Sequence, residues 1–200
     1  MKIFISGGSK SGKSMLAQRL AQKLRAPGKP LYYLATMIPT DNEDRERIKR
    51  HKQDREGLGY ETVEAGRGVY AAVANCEKDG FFLLDSVTAL LANEMFLPGG
   101  EVVPGAYRKV ADDLEGIICH VGGIVVVSDN VFSDAYIYDE LTESYRRGLA
   151  YIDRQAARLC DTVLEVCGGL CIALKGGGLL DACGGPLFDH LSGGLLDGFI

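Results

Sequence analysis

Short apolar segments alternate with longer amphipathic segments along most of the chain. Five of the short segments are almost continuously apolar, as in strands that are covered on both faces. They are Lys2–Ser6, Leu31–Leu34, Phe81–Leu84, Ile124–Val127 and Thr162–Val166. Alternation of such strands with helices is typical of strand–helix–strand units. The pattern therefore predicts an α/β fold, with a mostly parallel sheet and helices on both of its faces.

The segments between these strands carry apolar residues at helical spacing. The predicted helices are Lys13–Leu24, Val69–Glu77, Val87–Phe96, Tyr107–Cys119 and Asp139–Cys160. The segment Asp41–Glu56 differs, because it is almost wholly charged and only Ile48 could anchor it in a core. As a helix it would be polar on all sides, and burial is not expected to hold it.

The length of 200 residues is enough for one domain with a substantial core. We expect a single nucleotide-binding catalytic domain over residues 1–175. The remaining residues, 176–200, include eight glycines and show no clear period, so we expect a tail to which the sequence assigns no role.

The composition narrows the class of protein. A hydrophobic fraction of 46% and a net charge of −5 are ordinary for a globular protein and give no support for a nucleic-acid partner. We expect no membrane span and no signal peptide, because no long apolar run is present. The six cysteines form no CxxC pair, so we expect free thiols in a reducing cytoplasm.

A phosphate-binding motif follows the first predicted strand. The run Gly7-Gly8-Ser9-Lys10-Ser11-Gly12-Lys13-Ser14 fits the pattern G-x-x-x-x-G-K-S/T between a strand and a helix. Its glycines let backbone N–H groups point at a phosphate, and the helix adds its positive end. We expect Lys13 to reach the β- and γ-phosphates and the Ser14 hydroxyl to bind Mg²⁺. Kinases, ATPases, GTPases and transferases all use this motif, so it predicts nucleotide binding but no particular reaction.

A second metal-binding carboxylate is expected at the carboxyl end of a nearby strand. Asp85 has this position after Phe81–Leu84. It could also cap the helix that begins near Ser86, and the two roles can coexist. The run Ser128-Asp129-Asn130 follows Ile124–Val127 in the same way, and either lines the same cleft or forms an ordinary turn.

The most informative of the three histidines is His51, which lies among cations in Arg47–Arg55. One interpretation is a charged helix on the surface. The other is a nucleophile, because nearby cations keep an imidazole neutral and attract an anionic nucleotide. His120 precedes two glycines at the end of a predicted helix and is interpreted as a cap. His190 belongs to the tail and has no predicted role.

These elements together resemble a known family, the bifunctional adenosylcobinamide kinases / adenosylcobinamide-phosphate guanylyltransferases of cobalamin biosynthesis. The resemblance covers about residues 1–175, and the element RI-x-x-HK-x-x-R is its most specific part, because generic kinases lack it. The matching stretches are ISGGSKSGKS at Ile5–Ser14, LYYLAT at Leu31–Thr36, ERIKRHKQDR at Glu46–Arg55, LLDSVTALLANEMF at Leu83–Phe96, VVVSDNV at Val125–Val131 and VCGGLCIALKG at Val166–Gly176.

The resemblance implies a RecA-like P-loop NTPase fold, usually in a homotrimer, and two reactions that need Mg²⁺. In the first, ATP or GTP phosphorylates the corrinoid adenosylcobinamide. In the second, a histidine that corresponds to His51 takes GMP from GTP and passes it to adenosylcobinamide-phosphate. Lys13 would be the other catalytic residue. The further nucleotide contacts would be Ala35, Thr36, Met37, Lys52, Gln53, Asp54, Arg55, Glu64 and Asp85.

The chain also departs from the family pattern. Asp85 stands where the family commonly has Glu, and Asp129-Asn130-Val131-Phe132 stands where it has Asn-Glu-Val-Gly, which removes the glutamate. Two other functions stay open. One is a small-molecule kinase with a solvent-facing His51 and no guanylyltransferase activity, and the other is a regulatory module that binds nucleotide without catalysis. Adduct formation with GTP and turnover of a corrinoid would distinguish the three.

Overall fold

The computed structural model describes residues 1–132 and 134–178. Its strands are β1 Lys2–Gly7, β2 Leu31–Ala35, β3 Tyr60–Glu64, β4 Phe81–Asp85, β5 Gly123–Val127, β6 Thr162–Cys167 and β7 Leu170–Lys175. They form one sheet in the order β3-β2-β4-β5-β1-β6-β7. All neighbouring strands are parallel except β6 and β7. The mostly parallel sheet predicted from the apolar segments is thus confirmed.

The helices pack on both faces of this sheet. They are α1 Lys13–Leu24, α2 Asn42–Asp54, α3 Val69–Ala72, α4 Val87–Met95, α5 Ala106–His120 and α6 Glu140–Leu159. Successive residues of a strand point to opposite faces. Ile3 of β1 accordingly packs in a cluster with Leu16 of α1, whereas Phe4 belongs to a second cluster with Leu90 of α4 and Leu114 of α5. The prediction of helices on both faces is confirmed.

The two edge strands are absent from the predicted strands. Tyr60–Glu64 has three exposed and two half-buried residues and contains two glutamates, so it lacks the continuous apolar character of the inner strands. Leu170–Lys175 exposes Leu170, Ile172 and Leu174 and pairs only with β6. An edge strand is less buried than an inner strand, so its sequence does not need to be continuously apolar and is less distinctive.

Two predicted helical regions need correction. The helix expected over Val69–Glu77 ends at Ala72, and the chain continues in turns such as that closed by the Cys76 N–H and the Val73 carbonyl at 3.0 Å. The charged segment, in contrast, does form a regular helix, α2.

Local signals explain where α2 begins and ends. The Asp41 side chain caps it by accepting a hydrogen bond from the Asp44 N–H at 2.8 Å. The acidic residues Glu43 and Asp44 lie in its first turn, and the basic residues His51 and Lys52 lie in its last turn. The carboxylates at the start of the helix and the ammonium of Lys52 at its end favour the helix through its dipole.

No helix in the described part of the chain is long and apolar enough to cross a membrane. The described cysteines are free thiols at positions 76, 119, 160, 167 and 171. Cys183, His190 and most of the predicted tail 176–200 lie outside the described residues.

Candidate active site

The loop after β1 has a backbone that requires glycine at two points. A Cβ atom on Gly7 would lie 2.2 Å from the Val166 carbonyl oxygen of the neighbouring strand β6. Gly12 precedes α1 with a φ angle of 92°, which lies in the left-handed region that favours glycine. Residues 8–12 therefore connect β1 tightly to the N-terminus of α1, as a phosphate-binding loop requires.

Lys13 is folded back over this loop. Its Nζ atom donates a hydrogen bond to the Gly8 carbonyl at 2.5 Å and lies 2.9 Å from Oδ1 of Asp129. The residue is only 5% exposed. A charged amine is thus held beside the loop by one carbonyl and one carboxylate.

Asp129 reaches Lys13 because β5 is the strand next to β1. Its backbone N–H donates to the Thr88 hydroxyl at 2.9 Å, and the N–H of Asn130 donates to the Gly7 carbonyl at 2.9 Å. The run Ser128–Asn130 therefore packs against the phosphate-binding loop and the first turn of α4.

A cavity of about 240 Å³ opens next to the loop, at the carboxyl ends of β2, β3 and β4. Several predicted nucleotide-binding residues line it together, although they are far apart in the sequence. They are Ser14, Ala35, Met37, His51, Lys52, Arg55, Glu64 and Asp85.

Arg55 and Asp85 are linked through Tyr33 on the cavity wall. The guanidinium carbon of Arg55 lies 3.5 Å from the centroid of the Tyr33 ring, and the Tyr33 hydroxyl donates to Oδ2 of Asp85 at 3.3 Å. Burial, together with the negative charge of Asp85, raises the pKa of Tyr33. The phenol consequently stays protonated and acts as a hydrogen-bond donor.

One nitrogen of the Arg55 guanidinium has no hydrogen-bond partner among the described residues. This atom is Nη1, and the residue is 7% exposed. A buried N–H group without a partner costs free energy, so an anion that accepts a hydrogen bond from Arg55 would stabilise the arrangement. The electrostatics of the cavity therefore suit a phosphate group.

The cavity also explains why α2 is stable. Ile48, His51, Lys52 and Arg55 recur at helical spacing and form the face that lines the cavity. His51 is half-buried and does not face open solvent. The helix is polar on nearly all sides, as expected, and no residue of α2 whose burial is described is fully buried. Arg55, which directly follows the helix, anchors it by stacking on Tyr33 of β2.

Not all the predicted residues reach the cavity. Thr36 is fully buried, and its hydroxyl donates to the Ser86 carbonyl at 2.9 Å and accepts from the Ser86 N–H at 2.7 Å. It joins the ends of β2 and β4 and does not line the cavity. Gln53 is exposed outside the cavity lining, and the side chain of Asp54 is not among those described.

The structure shows that Ser86, and not Asp85, caps the helix α4. The Ser86 hydroxyl accepts a hydrogen bond from the Ala89 N–H at 3.3 Å. Asp85 ends β4 and lines the cavity. At the end of α5, Nδ1 of His120 lies 2.6 Å from the Gly116 carbonyl, which agrees with its interpretation as a cap.

Asp153 of α6 is a buried acidic residue that the sequence analysis missed. It is 6% exposed, and neither carboxylate oxygen makes a hydrogen bond of normal geometry with another described residue. Burial raises the pKa of Asp153 to about 7, reinforced by the charge of Asp129 and opposed by the nearby Ser128 hydroxyl. The sequence pattern did not indicate this burial, because an acidic residue within a helix is usually interpreted as part of its solvent-exposed face.

We expect Asp153 to make the protein less stable as the pH rises from about 4 to about 8. An aspartate in an unfolded chain titrates near pH 4, so between pH 4 and 7 the folded protein keeps a proton that the unfolded chain loses. The free energy of unfolding should fall by up to about 4 kcal/mol, at about 1.4 kcal/mol per pKa unit. Urea unfolding at several pH values measures this loss. Asp153→Asn should lack it, whereas Asp112→Asn on the exposed side of α5 should keep it. The same pH dependence in wild type and Asp153→Asn would contradict the assignment.

The sheet is mostly parallel, a phosphate-binding loop follows its first strand, and carboxylates lie at the end of β4 and just after β5. This combination defines a P-loop nucleotide-binding protein. The sequence profile of the cobinamide kinase / cobinamide phosphate guanyltransferase family matches residues 3–174, and the chain belongs to this family. It is accordingly a transferase.

Individual relatives match over most of their length. The bifunctional adenosylcobalamin biosynthesis protein CobU of Salmonella typhimurium is 26% identical over 186 residues, which covers 88% of this chain and 100% of that protein. The corresponding protein CobP of Pseudomonas aeruginosa is 28% identical over 177 residues, with 88% and 98% covered. Among solved structures, the flagellar accessory protein FlaH of Methanocaldococcus jannaschii aligns with 87% of this chain and 77% of that chain, at 21% identity and a TM-score of 0.45.

Proposed function

We propose that the chain phosphorylates adenosylcobinamide and then transfers GMP from GTP to adenosylcobinamide-phosphate, with His51 as the residue that carries the GMP. The membership of the family and the bifunctional relatives support the pair of reactions. The observation that carries the assignment of His51 is its place in one cavity with Ser14 and Asp85, on the face that also carries Arg55, whose Nη1 atom has no hydrogen-bond partner among the described residues.

In the GMP transfer, a ring nitrogen of His51 attacks the α-phosphorus of GTP with its lone pair. The bond from that phosphorus to the bridging oxygen breaks, and pyrophosphate leaves with the electron pair. A phosphate oxygen of the corrinoid then attacks the same phosphorus, the phosphorus–nitrogen bond breaks, and His51 is regenerated. Lys52 and Arg55 supply positive charge beside the phosphate in both steps.

In the phosphorylation, the loop and Lys13 hold the triphosphate of ATP or GTP. Ser14 and Asp85 offer two oxygen ligands in the same cavity, which fits Mg²⁺, because this ion usually takes one or two protein ligands and completes its shell with phosphates and water. When bound, Mg²⁺ neutralises phosphate charge during the transfer.

Intact-mass measurement after incubation with GTP and Mg²⁺ tests the proposed function directly. A gain equal to one GMP per chain is expected, followed by loss of that mass on addition of adenosylcobinamide-phosphate. No gain in mass, together with phosphorylation of a small molecule, would favour the kinase without guanylyltransferase activity. Tight nucleotide binding with neither reaction would favour the regulatory module.

Asp85→Asn should reduce activity more strongly than nucleotide affinity. The amide keeps the size of the side chain but lacks the negative charge that holds the metal ion, so the concentration of Mg²⁺ needed for half-maximal rate should rise by about ten-fold or more. Titration of the rate with Mg²⁺ at saturating nucleotide measures this shift. Asp79→Asn is a matched control, because Asp79 is an exposed carboxylate before the opposite end of β4. If Asp85→Asn behaves as wild type at limiting Mg²⁺, the metal assignment is wrong.

A further inference from the structure

The carboxylate of Asp129 is the acidic group that contacts the phosphate-binding lysine. Its Oδ1 atom lies 2.9 Å from Nζ of Lys13, and its side chain is 26% exposed, whereas that of Lys13 is 6% exposed. The carboxylate is thus placed between a buried amine and solvent. Part of the carboxylate is therefore open to solvent beside the phosphate-binding loop.

The backbone holds this carboxylate firmly on two sides. The hydroxyl of Thr88, in the first turn of α4, accepts the N–H of Asp129, and the carbonyl of Gly7 accepts the N–H of Asn130. The Thr88 carbonyl in turn accepts the hydroxyl proton of Tyr145 from α6 at 2.9 Å. Asp129 is therefore fixed to the phosphate-binding loop and to the start of the helix that follows Asp85.

This position suits proton transfer at the γ-phosphate. A lysine of this loop type binds the β- and γ-phosphates, so a carboxylate 2.9 Å from its Nζ lies close to the phosphate that is transferred. A general base must come within hydrogen-bond reach of the attacking hydroxyl. The cavity-lining carboxylates Asp85 and Glu64 are less suitable. Asp85 is assigned to the metal ion, and Glu64 lies 3.9 Å from the exposed amine of Lys52, on the edge strand β3 that three strands separate from β1.

We propose that Asp129 is the general base of the phosphoryl transfer, an inference that rests on the kinase activity proposed above. The acceptor O–H gives its proton to a carboxylate oxygen of Asp129, and the acceptor oxygen forms a bond to the γ-phosphorus. The bond from that phosphorus to the β–γ bridging oxygen breaks, and the nucleoside diphosphate leaves with the electron pair. Asp129 then releases its proton to solvent, through its exposed edge.

Asp129→Asn separates this role from a structural one. The amide keeps the backbone contacts and can still accept a hydrogen bond from Lys13, but it accepts a proton very poorly. The kcat for phosphorylation of adenosylcobinamide should fall by about 10²–10⁴-fold. The affinity for the triphosphate should stay equal or become tighter, because a negative charge near the γ-phosphate is removed. Formation of the GMP adduct at His51 should be unaffected.

The basal hydrolysis of GTP in the absence of corrinoid provides a second readout. Water is the acceptor there, so Asp129→Asn should also lower the release of inorganic phosphate. If wild type hydrolyses GTP but does not phosphorylate adenosylcobinamide, the proposed function fails while the hydrolysis still tests Asp129. A wild type with neither reaction, or a variant with unchanged rates in both, would overturn the assignment of Asp129.

Asp134→Asn is the matched control for loop integrity. Asp134 lies on the same loop but pairs with Arg146 at 2.9 Å and not with Lys13. This variant should keep both the rate and the affinity near wild type. Two results would show that the carboxylate of Asp129 only supports the loop. One is an equal loss of rate in Asp129→Asn and Asp134→Asn. The other is a loss of triphosphate affinity in Asp129→Asn while its kcat is unchanged.

Discussion

Lys13→Ala is expected to weaken triphosphate binding by about ten-fold or more and to remove nearly all turnover, while the fold stays intact. Charge-assisted contacts to phosphate contribute about 1.5–3 kcal/mol each, which sets the size of the loss. Lys13 is buried beside the loop, and the polar contacts of its amine within the described part of the chain are with Gly8, Ser11 and Asp129. Calorimetric titration with GTP measures the affinity, and thermal unfolding checks the fold.

Lys23→Ala is the matched control, because Lys23 is an exposed cation in the last turn of the same helix. It should bind GTP as wild type does. Part of the loss of affinity in Lys13→Ala is expected to come from the Asp129 carboxylate, because its negative charge repels phosphate once the Lys13 amine no longer neutralises it. The double variant Lys13→Ala/Asp129→Ala should therefore recover some affinity. Unchanged GTP affinity in Lys13→Ala would show that the nucleotide binds elsewhere.

The inner part of the fold could be predicted because its signals are local. A strand covered on both faces must be apolar at nearly every position, and this holds for β1, β2, β4, β5 and β6. Edge strands lack this requirement, so the glutamates of Tyr60–Glu64 concealed β3. The same reasoning applies to α2. Its anchor is the contact of Arg55 with Tyr33, and no periodicity within Asp41–Glu56 can reveal a partner on another strand.

The candidate site, like the fold, could be predicted from the sequence only in part. The phosphate-binding loop is one continuous run, and its strand and helix can be recognised from the sequence alone. Thr36, in contrast, was expected at the nucleotide through the resemblance to the family, yet its hydroxyl is used to join two strand ends. The contact of Asp129 with Lys13 depends on β5 lying next to β1, and this neighbour relation is set by the topology of the sheet and not by distance along the chain.

The histidine variants give the most specific test, since the phosphate-binding loop is shared with many other proteins. His120→Ala is the matched control, because His120 lies at the end of α5 and contacts the Gly116 carbonyl instead of the cavity. It should form the GMP adduct as wild type does. Any loss of adduct in this control would indicate damage to the fold rather than loss of a nucleophile.

His51→Ala is expected to abolish both adduct formation with GTP and transfer of GMP, because no other group then presents a lone pair to the α-phosphorus. Nucleotide binding and much of the phosphorylation should persist, since these depend on the loop, Lys13 and the metal ligands. The adduct in wild type should be labile in acid and stable in base, as expected of a phosphorus–nitrogen bond to imidazole, whereas a serine ester would behave in the opposite way. Intact-mass spectra recorded after acid and base treatment distinguish the two bonds. A wild-type level of adduct in His51→Ala, or an adduct that survives acid, would place the nucleophile on another residue and leave His51 as one of the cations and polar groups that line the cavity.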